Sequence, residues 1–301
     1  MNQPTSVTDI TQGGAQTSTE AAGTGALASA VIDSTEAREA LAWADRFKDA
    51  RAGEIDLQRL CIEQRWERYT EENHEVWGLM FAQRMRQLER DGSRVFLAGA
   101  ETLKLDARQV PRLRDVNRFL APMTGWSSVA VPGYIPARCF FAFLAERQFP
   151  TTITVRPKDR LAYLPEPDII HDVFGHVPLH TDPNFADFLQ TYGRAAFLTD
   201  DPFHTERLAR LFWFTVEFGL IREDGRLKLY GSGLISSEGE GHHALYSPEV
   251  ERRPFDLERV CSTSFEIHHY QPILYVLESF DQLSEAMRTY ADRLLSLKRA
   301  A

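Results

Sequence analysis

From Glu36 to Ala50, and again from Tyr69 to Arg90, apolar residues recur every three or four positions among many charges. This is the stripe of an amphipathic helix. Asp115–Leu120 and Pro136–Arg147 repeat the pattern, the second with its proline in the first turn, where a missing N–H leaves no bond unmade. Arg207–Ile221 is almost continuously apolar and too long for a strand, so it predicts a buried helix interrupted by one acid, Glu217. Further helices are expected over Gln271–Leu277 and Asp281–Lys298. Strand-like runs are short: Ser128–Val131, Thr151–Arg156 with its β-branched residues, and Leu227–Tyr230. The expected fold class is α+β, mostly helical with a few short strands, and not an alternating βαβ order.

Residues 1–37 break from this pattern. They are rich in Gly, Ser, Thr, Ala and Gln and lack any aromatic, Lys or Arg. Such a stretch cannot bury enough apolar surface to offset its backbone entropy, so it reads as a disordered tail without the basic start and apolar run of a secretory signal. Residues 38–301 contain no Pro/Gly/Ser linker and no internal repeat, and are expected to form one compact domain.

Charge and cysteine content narrow the partners. Thirty-four basic and 43 acidic side chains leave a formal charge of −9, with no Lys/Arg-rich block. That argues against nucleic acid or an anionic membrane as the main partner. The apolar stretches fall far short of the roughly 18 residues that span a bilayer. Three dispersed cysteines (Cys61, Cys139, Cys261) make neither a disulfide framework nor a C-x-x-C site, so a reducing cytoplasm fits best.

The chemistry concentrates in Pro165–Pro178, where His171 and His176 flank an acid, two apolar residues and a glycine. Five residues apart on an ideal α-helix, two side chains point about 140° away from each other. They share a metal only if the helix ends or distorts between them, and Gly175 and Pro178 are residues that permit an ending. From this spacing alone, ligation and a plain core or surface role both stay open. Glu217 sits in the apolar run Leu211–Ile221, where an ionised carboxylate needs a cation: an Arg, a Lys or a metal. Two imidazoles and one carboxylate make the facial triad of non-haem Fe(II) oxygenases, which leaves open positions for oxygen, water or substrate. Trp213, four residues before Glu217, is placed on the same helix face as an aromatic wall or simply as core.

Taken together, P-D-I-I-H-D-V-F-G-H-V-P, W-F-T-V-E-F-G-L and G-S-G-L-I-S-S resemble the pterin-dependent aromatic amino acid hydroxylases. V-P-G-Y-I-P-x-x-x-F-F and R-Q-F-P-T-T are similar to the short bacterial phenylalanine 4-hydroxylases in particular, and the resemblance runs in order from about Trp66 to Phe280. It implies one Fe(II) held by His171, His176 and Glu217, with tetrahydrobiopterin or a related tetrahydropterin reducing O2 there. It implies that Arg156 pairs with the substrate carboxylate, that Asp168 steadies Arg156, and that Pro165, Pro167, Trp213, Gly233 and Ser236 line the amino acid pocket. Phe140 aligns with an aromatic residue that stacks on the pterin, Gly133, Tyr134 and Ile135 with the adjoining pterin loop, and Asp172 with an acid reaching toward the pterin.

Trp213 and the aliphatic Ile267 match phenylalanine hydroxylases, and an apolar wall leaves a tyrosine hydroxyl without a partner. L-phenylalanine to L-tyrosine is therefore the expected reaction, with tryptophan or meta-hydroxylation as alternatives. Phe212 and Leu164 depart from the animal members, which carry hydroxyl-bearing residues there. The remaining histidines (His74, His180, His204, His242, His243, His268, His269) read as surface or satisfied structural residues. The polar tail and the single short C-terminal helix predict a monomer. The rivals are a zinc hydrolase, for which Asp172 is the nearby base candidate, and a silent binding protein, which would be expected to have lost a ligand.

Overall fold

The first amphipathic stripe folds as α1 (Ser34–Asp45), with Ala37, Ala40 and Ala44 buried. The structure, a computed structural model, describes residues 31–45, 55–161, 167–265, 267 and 269–300. The expected tail boundary at residue 37 falls inside this helix. Asp33 Oδ1 accepts from the backbone N–H of Thr35 (2.9 Å) and Glu36 (3.2 Å), which starts the helix, and Val31 and Ile32 before it are buried. The rest of the expected tail, residues 1–30, and the expected end of this helix at Ala50 lie outside the described residues.

The long helix α2 (Glu71–Asp91) begins at a reciprocal cap. Thr70 Oγ1 accepts from Asn73 N, and Asn73 Oδ1 accepts from Thr70 N. Next come α3 (Arg94–Thr102), α4 (Leu113–Thr124), β1 (Ser127–Val131), α5 (Ala137–Ala145) and β2 (Gln148–Thr152), with β1 and β2 paired in parallel. The expected strand Thr151–Arg156 thus starts earlier and stops at Thr152. Beyond that point the backbone turns to other partners: Ile153 O accepts from Tyr69 OH, and Thr154 O accepts from Ile169 N at 2.9 Å. That second bond ties the chain to the segment just ahead of His171.

Helices α6 (Pro183–Leu198) and α7 (Pro202–Phe212) each carry proline at the first position and an aspartate cap, Asp182 and Asp201. The expected helix over Arg207–Ile221 does not run through. It ends at Phe212, passes into the π-helical turn Trp213–Glu217, and reappears as strand β3 (Leu220–Glu223). A hairpin returns it as β4 (Arg226–Leu229) through Asp224 and Gly225, with φ of 48° and 74°. The chain continues as α8 (Ser232–Ser236), α9 (Glu238–Tyr246), β5 (Glu251–Pro254) and α10 (Leu257–Ser262). Gln271–Leu277, expected as a helix, holds strand β6 (Ile273–Leu277) instead. It pairs in parallel with both β3 and β5 in a sheet of order β4-β3-β6-β5. An inner strand is apolar on both faces, so its short run carries no period-2 signature. The final helix α11 (Phe280–Ala300) buries Leu283, Met287, Tyr290 and Leu294 and packs along α6.

His180 departs from its expected role as a surface or satisfied residue. It is fully buried, stacked on Trp126 at 4.7 Å and close to Phe149 and Phe185, and neither ring nitrogen has a hydrogen-bond partner. Burial, with His176 nearby, holds its pKa well below the ordinary histidine value. The unfolded chain therefore binds the proton more readily. The neutral ring's contribution to stability is present above about pH 6.5 and is lost as the pH falls below it. His74 and His204 are satisfied, by Val110 N and Tyr290 OH.

Replacing His180 by Phe should raise stability at pH 7.5 and flatten its acid dependence. Between pH 7.5 and 5.5, urea denaturation should show the parent losing about 1.4 kcal/mol more than the variant. Equal pH slopes for the two proteins would show that the ring is not held neutral.

Candidate metal and amino acid site

Both segments singled out for chemistry fold as π-helical turns, Ile170–His176 and Trp213–Glu217. The second shows the diagnostic bond, Phe218 N donating to Trp213 O five residues back at 2.9 Å. This wider turn resolves the spacing problem of the histidine pair: residues five apart, splayed on an α-helix, come onto nearly one face. The helix does not break at Gly175 or Pro178 but runs on into a tighter 3-10 turn, Val177–Thr181. The two imidazoles meet edge to face, with ring centroids 4.9 Å apart and Nε2 atoms 3.2 Å apart.

Glu217 arrives from the other π turn. Its Oε1 lies 3.2 Å from His176 Nε2 and its Oε2 lies 3.7 Å from His171 Nε2. Ligand atoms of all three lie within 4.8 Å of one another, and no other such group of His, Cys, Asp or Glu occurs among the described residues. Burial pushes the His171 pKa down to about 4 against the pull of Glu217, so the ring is neutral near pH 7. Burial works to raise the Glu217 pKa, but His176, His171 and the Ser232 hydroxyl outweigh it, and the carboxyl stays below its ordinary range.

A divalent ion fits this set. Glu217 Oε1 is buried without a hydrogen-bond donor. Ligands about 2.1 Å from an octahedral ion stand about 3 Å apart at adjacent corners, close to the separations seen here. All three groups turn a ligand atom toward one common point, where a single ion would be shared by them.

The short helix α8 braces the three groups. Ser236 Oγ donates to Ser232 O at 2.8 Å and so accepts from His171 Nδ1–H at 3.1 Å, which leaves the lone pair on Nε2. Ser236 was expected along the amino acid pocket; the structure places it behind the imidazole. Ser232 Oγ donates to Glu217 Oε2 at 2.8 Å. The sequence reading passed over Ser232, although two serines four apart in G-S-G-L-I-S-S carry the signal.

Arg156 and Asp168 form a buried, bidentate pair, with Nε to Oδ2 at 2.8 Å and Nη2 to Oδ1 at 3.0 Å. Asp168 also accepts from the backbone N–H of Arg156 and of His171, both at 3.1 Å, so it caps the turn that carries the histidines. Arg156 Nη1 donates to Leu161 O at 3.0 Å.

Of the remaining expected residues, Trp213 is buried and stacked on Phe265 at 4.6 Å, with Phe218 at 4.7 Å. Half-buried Ile267 packs on the same core. Gly233 lies against Glu217 O and the Phe218 ring, Pro167 is half-buried, and Pro165 and Leu164 lie outside the described residues. Gly133 turns the loop with φ of 135°, Tyr134 is half-buried and Ile135 is buried. Phe140, expected to stack on the pterin, is 2% exposed and met edge-on by Phe141, Phe149 and Phe212. Asp172 is also buried, and its Oδ2 accepts from Thr152 N at 2.6 Å. Burial lifts its pKa to about 7.

Comparison with known proteins places this geometry. The family model for biopterin-dependent aromatic amino acid hydroxylases matches residues 64–299. Phenylalanine-4-hydroxylase of Caulobacter vibrioides is 42% identical over 224 residues, 74% of this chain and 76% of the relative. That of Chromobacterium violaceum is 40% identical over 231 residues, 77% of this chain and 78% of the relative. Crystal structures of the Chromobacterium violaceum enzyme superpose well. One with iron and phenylalanine bound has a TM-score of 0.74 at 36% identity, covering 85% of this chain and 92% of that one. Another, with iron(III) and 7,8-dihydrobiopterin, has a TM-score of 0.75 at 37% identity, with the same coverage.

Replacing Asp168 by Ala should cost about 3–5 kcal/mol in denaturant unfolding, because it strands a buried guanidinium and uncaps the histidine turn. A loss below about 1 kcal/mol, the range of an exposed ion pair, would show that the pair is not buried as described.

Proposed function

The chain belongs to the biopterin-dependent aromatic amino acid hydroxylase family, and from that premise we propose that it converts L-phenylalanine to L-tyrosine with O2, Fe(II) and a tetrahydropterin. The observation that carries this reading is the convergence of His171, His176 and Glu217 within ligand distance of one another. These three residues would hold the iron through Nε2, Nε2 and a carboxylate oxygen. Iron and tetrahydropterin, when bound, supply the activation of O2 and the reducing electrons. The chain itself places the substrate and keeps the site dry.

Arg156 suits the substrate carboxylate. A guanidinium has five N–H donors, and three are engaged here by Asp168 and Leu161. The two left over, one on each terminal nitrogen, form the end-on fork that binds a carboxylate in two parallel bonds. Trp213 and Phe265 offer stacked aromatic faces, and Ile267 provides an apolar neighbour where a substrate phenol would find no partner. The loop Gly133–Ile135 is the proposed contact for the pterin. The family match disfavours the hydrolase rival, whose base candidate Asp172 is buried with Oδ2 bound to Thr152 N.

The same reading includes residues 38–301 acting as one catalytic domain, a cytoplasmic location and a monomer. No helix among the described residues is long and apolar enough to cross a membrane, and all three cysteines are free. Leu283, Met287, Tyr290 and Leu294 of α11 are buried as the helix packs along α6, and the helix is too short for sustained heptads.

Aerobic incubation with Fe(II), a tetrahydropterin and each of Phe, Tyr and Trp should yield tyrosine from Phe as the main product by mass and retention. A chelator should stop it. His171→Ala or Glu217→Ala should abolish tyrosine formation while the far-UV circular dichroism is kept; a mutant that still makes tyrosine at the normal rate would mean the ligands are misassigned. Arg156→Lys, which loses the fork, should raise KM for Phe about 10–100-fold.

A further inference from the structure

Glu217 is the ligand with a choice, because a carboxylate can present one oxygen or two. One oxygen is already taken: Ser232 Oγ donates to Oε2 at 2.8 Å, while Oε1 is buried without a donor and faces His176 Nε2 at 3.2 Å. Ser232 itself is fully buried. Its approach depends on the two glycines around it. A Cβ on Gly231 would meet Glu217 O and Gly219 N at 2.4 Å, and one on Gly233 would meet Phe218 Cζ at 2.9 Å and Glu217 O at 3.1 Å. G-S-G thus lets the backbone lie directly on the π turn that carries the acid, with only a serine side chain between them.

The helix behind it is pinned from the far side. Arg84 of α2, 1% exposed, donates from Nε to Ile235 O at 2.7 Å and from Nη2 to Leu234 O at 3.1 Å. A guanidinium on the last carbonyls of α8 satisfies acceptors the short helix leaves open. The hydroxyl is therefore held at a fixed place.

We propose that Ser232 is a positioning residue for Glu217: its hydroxyl ties up Oε2, so that the carboxylate offers Oε1 to the ion, and Arg84 fixes the helix that presents it. This rests on the metal-site reading above. Its consequence is specific to the acid. With the hydroxyl gone, Oε2 is a buried, unpaired acceptor, free to swing onto the ion.

Co(II) is the probe, with affinity read by chelator competition and coordination by the visible d–d spectrum, on Ser232→Ala and the near-isosteric, weakly donating Ser232→Cys. Both should bind Co(II) about 10–100-fold more weakly, with a shifted spectrum, while circular dichroism matches the parent. Should Ser232→Ala fail to fold, Ser232→Cys alone carries the comparison. Parental affinity and spectrum in both variants would overturn the proposal, as would a Cys variant like the parent beside a weakened Ala variant, which would mean packing and not hydrogen bonding. If the parent itself binds no Co(II), the metal-site reading falls, and this inference with it.

Discussion

Everything at the site depends on bringing ligand atoms of three side chains together in a largely buried place. Such burial is costly, because low polarisability strengthens every unpaired charge. The fold meets this constraint by backbone turns and side-chain hydrogen bonds. Two turns wound more loosely than an α-helix point the groups inward, Asp168 ends one turn, and the hydroxyls of α8 hold the outer atoms of His171 and Glu217. The cost of the crowding is thereby met by the folded chain.

The parts of the molecule legible from sequence are those with long, regular periodicity. α2 and α11 lie within a few residues of their expected limits, because each shows one apolar face over many turns. β6 was misread because five apolar residues in a row look the same on a buried strand and a buried helix. The run Arg207–Ile221 hid three conformations under one composition, since an α turn, a π turn and an inner strand all bury the same side chains.

At the site, residue types were easier to find than residue roles. His171, His176 and Glu217 stand out as polar groups in apolar surroundings, yet α-helical spacing argued against the histidine pair; only the π turn removes the objection. Ser236 was noticed for the pocket, but its hydrogen bond to His171 was not foreseen, and Arg84 looked like any charge on an amphipathic helix. Phe140 sits at the right place in the chain, but three neighbouring rings enclose it. Chain position fixes where a side chain starts, whereas the tertiary neighbours decide what it touches.

Asp168 joins two ends of the pocket that might have been independent. One carboxylate grips the Arg156 guanidinium and, through the same Oδ1, the amide of His171. On the proposed reading of Arg156, recognition of the amino acid's acidic end and orientation of the first imidazole would share a single hinge point. A ligand that drew the guanidinium outward would pull on the turn bearing that ring, and by thermodynamic reciprocity any such effect on the ion's seat would be matched by an equal effect of the ion on the amino acid's affinity.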